Sequence, residues 1–203
     1  MNQKILLATT NNGKLHELRS LLDPLPFTLL SPADLGLVLD VPETGSTYAE
    51  NAALKAKAFH SAAGLPVLAD DTGLEVDALD GAPGLHSARF SSDPAATDAD
   101  RRAKLLRVLA DKPRPWLARF RCVVAVALPD REIEFFQGSV EGEIIPEERG
   151  AHGFGYDRLF YIPATGMTLA ELRLSEKNAI SHRAVAVRNA IPFLIRELAK
   201  IRN

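Results

Sequence analysis

The sequence is poor in cysteine, with a single residue, Cys122, in a chain of 203. A lone thiol has no internal partner, which excludes a disulfide scaffold and fits a reducing cytoplasm. Long apolar runs are missing too. The longest, 122–128, has seven residues, against the roughly 20 that a membrane-spanning helix needs. The opening stretch Met1-Asn2-Gln3-Lys4-Ile5-Leu6-Leu7-Ala8 holds too short an apolar segment for a signal peptide. There is no excess of positive charge: 24 Lys and Arg against 26 Asp and Glu leave a net charge of −2. That argues against sequence-independent binding of nucleic acid, which needs a strong positive field, but leaves small anionic ligands open. The chain also lacks internal repeats, low-complexity tracts and long polar linkers. It reads as one domain, 1–203, long enough to divide into two lobes.

What is present is an ordinary globular balance, 46% hydrophobic and 25% charged, which rules out disorder, collagen and coiled coil. A chain of this length buries enough core to stand without a structural metal.

Apolar periodicity and turn residues predict the elements. A strand over 4–9 leads through a turn into a helix over 14–22, stopped by Pro24 and Pro26. A strand at 27–30 precedes a loop to residue 45. Thr47-Tyr48-Ala49-Glu50 fits a capping box for an alanine-rich helix reaching Ala63, with Gly64 closing it. A strand over 65–69, a turn at 70–73 and a returning strand over 74–78 follow. After a tight loop at 81–84, a helix begins at Pro94 or Thr97 and runs to Lys112. Strands over 119–128 and 132–140 form a hairpin about Pro129-Asp130. Then come a glycine-rich loop at 150–157, a strand at 159–162 and a short helix at 168–172. A last helix, capped by Ser181, reaches Ile201, with a kink or break expected at Pro192. Early alternation of strands and helices followed by a hairpin implies an α/β fold with a mixed sheet.

Five segments carry candidate chemistry. Thr9-Thr10-Asn11-Asn12-Gly13-Lys14 joins the first strand to the first helix. Helix N-terminal N–H groups favour an anion there, and Lys14 adds charge; a plain capped turn is the alternative. Walker A spacing is absent. Asn51 and Lys55 lie one turn apart on one helix face beside Glu50, as ligand contacts or as a solvated face. Asp70-Asp71-Thr72-Gly73 puts two carboxylates at the end of an apolar strand, where α/β sheets place ligands. Paired acids there can hold Mg²⁺ or polarise a water, and an Asp-rich turn weighs equally. Glu43 is a further candidate acid.

His152-Gly153-Phe154-Gly155-Tyr156-Asp157 flanks a ring with glycines, a way to expose it for stacking on a nucleobase or to anchor a loop. Finally, Lys177, His182 and Arg183 gather ahead of the last helix, where cations oppose the macrodipole unless an anionic or hydrogen-bonding ligand meets them; a basic surface loop is the alternative. Other chemistries lack support. There is no GxSxG or HExxH, Cys122 reads as an inert core thiol, and His16, His60 and His86 lack metal-ligand spacing. Arg89 suits a carboxylate or a phosphate partner alike.

Together, ATTNNGK, ETGSTYAENAALKA, LADDTGLEVDALDGAPGLHSARF, GFGYDRLF and LSEKNAISHR, in this order from residue 8 to 183, resemble the inosine triphosphate pyrophosphatase family. The resemblance implies an α/β fold with an elongated mixed β-sheet flanked by helices, in two lobes around a central substrate cleft. It implies Mg²⁺-dependent hydrolysis of noncanonical purine nucleoside triphosphates (ITP, dITP, XTP) to the monophosphate and pyrophosphate, by a cytoplasmic homodimer that cleanses the nucleotide pool. Residue by residue, it assigns Thr9, Thr10, Asn11, Asn12, Gly13 and Lys14 to the triphosphate and Lys55 to a phosphate contact. It makes Asp71 the general base and metal ligand with Asp70 beside it, and Thr72 a substrate contact. Phe154, Gly155, Tyr156 and Asp157 form the base-stacking loop, while Lys177, His182 and Arg183 meet the base and neighbouring phosphates. One departure stands out: Pro42 precedes Glu43 where the family often has two acids before Thr-Gly, so Glu43 alone, or added water, completes the metal shell from that loop. Donors at His182 or Arg183 suit a 6-oxo purine and penalise adenine, since a site built on hydrogen bonds rejects an unpaired analogue by up to about 10⁴–10⁵. The competing readings are a pyrophosphatase for modified pyrimidine or ordinary nucleotides, and a nucleotide-binding module without catalysis.

Overall fold

A computed structural model describes residues 3–91, 93 and 95–200; Pro94 and Ile201, expected as helix ends, lie outside them. Eight strands among the described residues form one mixed sheet: β1 (Gln3–Leu7), β2 (Phe27–Leu30), β3 (Val67–Val76), β4 (Pro83–Gly84), β5 (Trp116–Ala127), β6 (Glu134–Ile144), β7 (Phe160–Ile162) and β8 (Met167–Thr168). Their order is β2-β1-β3-β5-β6-β7-β8, with β4 paired to β3. β1 runs parallel to β2 and β3, whereas β4, β7 and β8 join antiparallel. The helices are α1 (Asn12–Leu22), α2 (Tyr48–Ala63), α3 (Asp98–Leu109), α4 (Leu174–Ile180) and α5 (His182–Lys200). None is long and apolar enough to cross a membrane among the described residues.

The chain divides into two compact units. One comprises 1–71, 122–138 and 182–203, the other 72–121 and 139–181. In the first, strand alternation sorts side chains onto two covered faces. Ile5, Leu7, Leu68, Cys122, Val124 and Val126 pack with Leu18 and Leu22 of α1 and Ala186, Val187, Ala190 and Leu194 of α5. Leu6, Ala8, Val67, Ala69, Ala125 and Ala127 pack with Ala52, Ala56 and Phe59 of α2. The unbroken apolar run at 122–128 is thereby explained, because both faces of that strand are buried. The second unit has one core, in which Leu74, Val76, Trp116, Phe120, Phe160 and Leu159 surround Leu105 and Leu109 of α3.

Several expectations are corrected. Residues 70–73 are not a turn: β3 runs through them, because its start pairs with β1 and its end with β4. The reversal comes later, through the short helical turn Asp77–Leu79 into β4. Glu50 makes only half of a capping box. Its N–H donates to Thr47 Oγ1 (3.1 Å), but its carboxylate accepts from Ser46 N–H (2.6 Å). A complete box stands instead at Thr97 and Asp100 of α3. Residues 168–172 hold the end of β8 and turns rather than a helix; the helical segment is α4, just beyond. α5 passes through Pro192 without a break. Its buried stripe of Ala186, Ala190, Leu194 and Leu198 outweighs the loss of one helical hydrogen bond.

Candidate active site

The first cluster lies in the unit holding residues 1–71, at the end of β1. Asn11 caps α1, its Oδ1 accepting from Lys14 N–H at 3.0 Å, and Thr9 Oγ1 accepts from Asn11 N–H at 3.2 Å. The helix therefore starts at Asn12, two residues before the expected Lys14. Thr10, Asn11 and Asn12 are exposed around its N-terminus, with Gly13 half-buried. Such an end presents N–H groups to an anion. Lys14 turns inward, its Nζ 3.0 Å from Asp70 Oδ2.

Because Asp70 and Asp71 are successive strand residues, their side chains leave opposite faces of β3. Asp70 follows Leu68 towards α1 and α5. Its Oδ2 also meets Arg183 Nε at 3.2 Å, and Arg183 binds Glu17 of α1. Burial alone would raise the Asp70 carboxyl; Lys14, Arg183 and Lys55 reverse this and hold it well below the usual carboxylate range. Asp71 follows Ala69 towards α2. Asn51 Nδ2 donates to its Oδ2 at 3.3 Å and Lys55 Nζ to its Oδ1 at 3.2 Å. The one-turn spacing of Asn51 and Lys55 thus serves a single carboxylate. Lys55 Nζ also lies 2.9 Å from Glu43 Oε1. Burial pushes the Asp71 carboxyl up, and Lys55 and Lys14 only partly offset it. Lys55 itself stays charged: burial opposes its proton, but Asp71, Asp70 and Glu43 together raise its pKa.

Two carboxylates sharing one ammonium form an oxygen-only donor set. Mg²⁺ suits it, since that ion commonly binds one or two carboxylates and takes its remaining ligands from water and substrate phosphates. Among the described residues no three His, Cys, Asp or Glu side chains stand together as a metal cage. Asp70, also expected as a metal ligand, leaves the opposite strand face, where it meets Lys14 and Arg183. Glu43 and Asp71 remain as the pair that fits.

The second cluster lies in the other unit. Gly153 and Gly155 have φ of +71° and +60°, and a Cβ on Gly153 would stand 2.1 Å from Asp157 Oδ2. That carboxylate accepts from Phe154 N–H (2.9 Å) and Lys177 Nζ (2.5 Å). Lys177 also lies 5.1 Å from the Phe154 ring centroid. Phe154 and Gly155 are half-buried, while Tyr156 is buried with its hydroxyl donating to Ser87 O (2.9 Å), so its ring anchors the loop. Thr72, on β3, is half-buried, and Arg89 is exposed at the end of a short helical turn.

His182 and Arg183 occupy the first turn of α5 and are almost wholly buried. α5 approaches β6 where Gly138 leaves room: a Cβ there would lie 2.2 Å from His182 O. Arg183 thus opposes the helix dipole, and its two buried carboxylate partners account for its tolerance there. Sequence reasoning missed Glu17, Asn51 as an Asp71 partner, and the α3 residues that hold the glycine loop. Glu17 leaves one faint signal, an acid one turn before Leu21 on α1.

With this geometry in place, comparison with known proteins is direct. Residues 5–193 match the model of the Ham1 family. The chain is 47% identical over 194 residues to a dITP/XTP pyrophosphatase of Desulforamulus reducens, covering 95% of this chain and 96% of that protein. It is 50% identical over 186 residues to a dITP/XTP pyrophosphatase of Thermus thermophilus, covering 91% and 88%. A solved HAM1 protein from Coxiella burnetii is 42% identical with a TM-score of 0.85, covering 96% of this chain and 99% of that one. The chain belongs to the Ham1 family.

Proposed function

We propose that this chain is a Mg²⁺-dependent nucleoside triphosphate pyrophosphatase that hydrolyses dITP, ITP and XTP to the monophosphate and pyrophosphate. The observation that carries the reading is the setting of Asp71: a buried carboxylate lifted above its ordinary pKa, held by Asn51 and Lys55, with Glu43 on the same ammonium. A carboxylate so raised is a better base than an exposed one.

The roles follow. The α1 N-terminus, with Thr9, Thr10, Asn11, Asn12, Gly13, Lys14 and Thr72, binds phosphates. Lys55 neutralises phosphate charge and orients Asp71. Mg²⁺, held by Asp71 and Glu43, would neutralise the phosphate oxygens in the displacement. Asp71 takes a proton from the attacking water as its oxygen bonds to phosphorus, and the anhydride bond between the first and second phosphates breaks. Phe154 stacks on the purine, supported by Gly155, Tyr156, Asp157 and Lys177. His182 donates to the 6-oxo group, with Arg183 beside it in sequence as the buried cation that binds Asp70 and Glu17. A homodimer in the cytoplasm completes the reading, the location being supported by the lone buried thiol.

The test is pyrophosphate release from ITP, XTP, ATP and GTP, with Mg²⁺ and with chelator. Release from ITP and XTP alone, abolished by chelation and restored by Mg²⁺, is the expected result. Equal release from all four overturns the roles of Phe154 and His182; no release from any overturns the function.

A further inference from the structure

The loop around Phe154 is gripped from outside by α3. Asp98 and Arg102 lie one helical turn apart, on one face, and take opposite ends of the same residue. Asp98 Oδ2 accepts from Gly155 N–H at 2.7 Å, and Arg102 Nη1 donates to Gly155 O at 2.9 Å. Arg102 is itself fixed by a two-pronged pair with Glu148, at 2.8 and 3.2 Å. Gly155 has a positive φ, which puts its N–H and C=O where a helix face can reach both. On the other side of Phe154, the Asp157 carboxylate holds the Phe154 N–H. The ring is therefore mounted between two fastened peptides. Charged partners make these bonds stronger than ordinary ones, and planar pairing gives Arg102 one orientation.

We propose that Asp98 and Arg102 form a clamp that sets the position of the Phe154 ring, making them positioning residues for purine recognition. The inference rests on the function proposed above. Neither residue touches phosphate or acid–base machinery, so the clamp governs how well the base is held and leaves the chemical step alone. Loss of a charge-assisted bond to a half-buried peptide loosens the loop; the expected effect is about a tenfold rise in KM for ITP.

Asp98→Ala, Asp98→Asn and Arg102→Met would be compared with the parent for kcat and KM on ITP, for inhibition by inorganic pyrophosphate, and for amide hydrogen exchange over 153–157. Asp98→Ala and Arg102→Met should raise KM about tenfold, with kcat within about threefold. Inhibition by pyrophosphate, which has no base, should be unchanged. Asp98→Asn keeps an oxygen that can accept the Gly155 N–H and should recover most of the affinity. Exchange at Gly155 should speed up most in Asp98→Ala, which removes its acceptor, less in Arg102→Met, and little in Asp98→Asn. Unchanged KM, an equal fall in kcat and pyrophosphate affinity, or Asp98→Asn as damaged as Asp98→Ala each overturns the proposal. If the parent releases no pyrophosphate from ITP or XTP, the function fails instead; unchanged exchange in Asp98→Ala then overturns the clamp on its own.

Discussion

Asp70 and Asp71 are joined by one peptide bond, yet they serve different partners on opposite faces of β3. Asp70 meets Lys14 and Arg183, while Asp71 meets Asn51 and Lys55. Both are buried, one a counter-ion to Lys14 and Arg183 and the other a carboxylate whose pKa burial raises. The separation follows from the strand's period of two, and a turn at this point would have erased it.

Substitution should part the two roles. Asp71→Asn should lower turnover about 10²–10⁴-fold. Its melting temperature should stay level or rise, because a buried carboxylate with a raised pKa disfavours the folded state at neutral pH. Asp70→Asn leaves buried cations short of a partner and should cost about 3 kcal/mol, on the order of 10 °C in Tm. Equal Tm losses in the two variants would contradict this division.

The α3 clamp should be sensitive to acid in a defined window. For Asp98, burial raises the carboxyl, but Arg101 and the Gly155 N–H outweigh it; Glu148 is lowered by its hydrogen bonds to Arg102. Both folded values lie below the unfolded ones, so their stabilisation is complete above about pH 4–5 and fades as pH falls through the folded values. Thermal melts from pH 6 to 2.5 should show a shallower acid decline for Asp98→Asn than for the parent. Parallel curves would refute the linkage.

Two glycines in the same loop should respond unequally. Gly153→Ala meets both an unfavourable φ and the Asp157 carboxylate, so Asp157 must leave Phe154 and Lys177. Gly155→Ala meets only the φ, as its Cβ position has nothing within 4 Å. The first should raise KM for ITP about tenfold or more and the second about fivefold at most, as backbone strain alone costs only about 1 kcal/mol. Steady-state kinetics decide it.

Gly138→Ala should destabilise by about 1–3 kcal/mol or more. Its Cβ would lie 2.2 Å from His182 O and 2.5 Å from Ala186 N. Both are helix backbone, so relief requires α5 to shift. Urea melts would read the loss, and an unchanged midpoint would place the helix elsewhere.

Much of this was legible in the chain. Gly64 ends α2 with φ +63° because no other residue takes that conformation so cheaply. Asn51 and Lys55 share a helix face by spacing alone, and the glycine pair around Phe154 marks a loop whatever surrounds it. Local geometry suffices for such statements, and the order of the motifs sufficed for the family.

The error at 70–73 shows where local reading stops. Asp, Asp, Thr and Gly are turn formers by intrinsic preference, and strand pairing on both sides overrode that preference. Nor does anything near Asp98 or Arg102 in sequence announce Gly155, more than fifty positions away. Sequence by itself determined the periodicities, the caps and the inventory of charges. Tertiary structure decided which acid meets which cation, because burial strengthens charge pairing and only folding brings distant segments within hydrogen-bond reach.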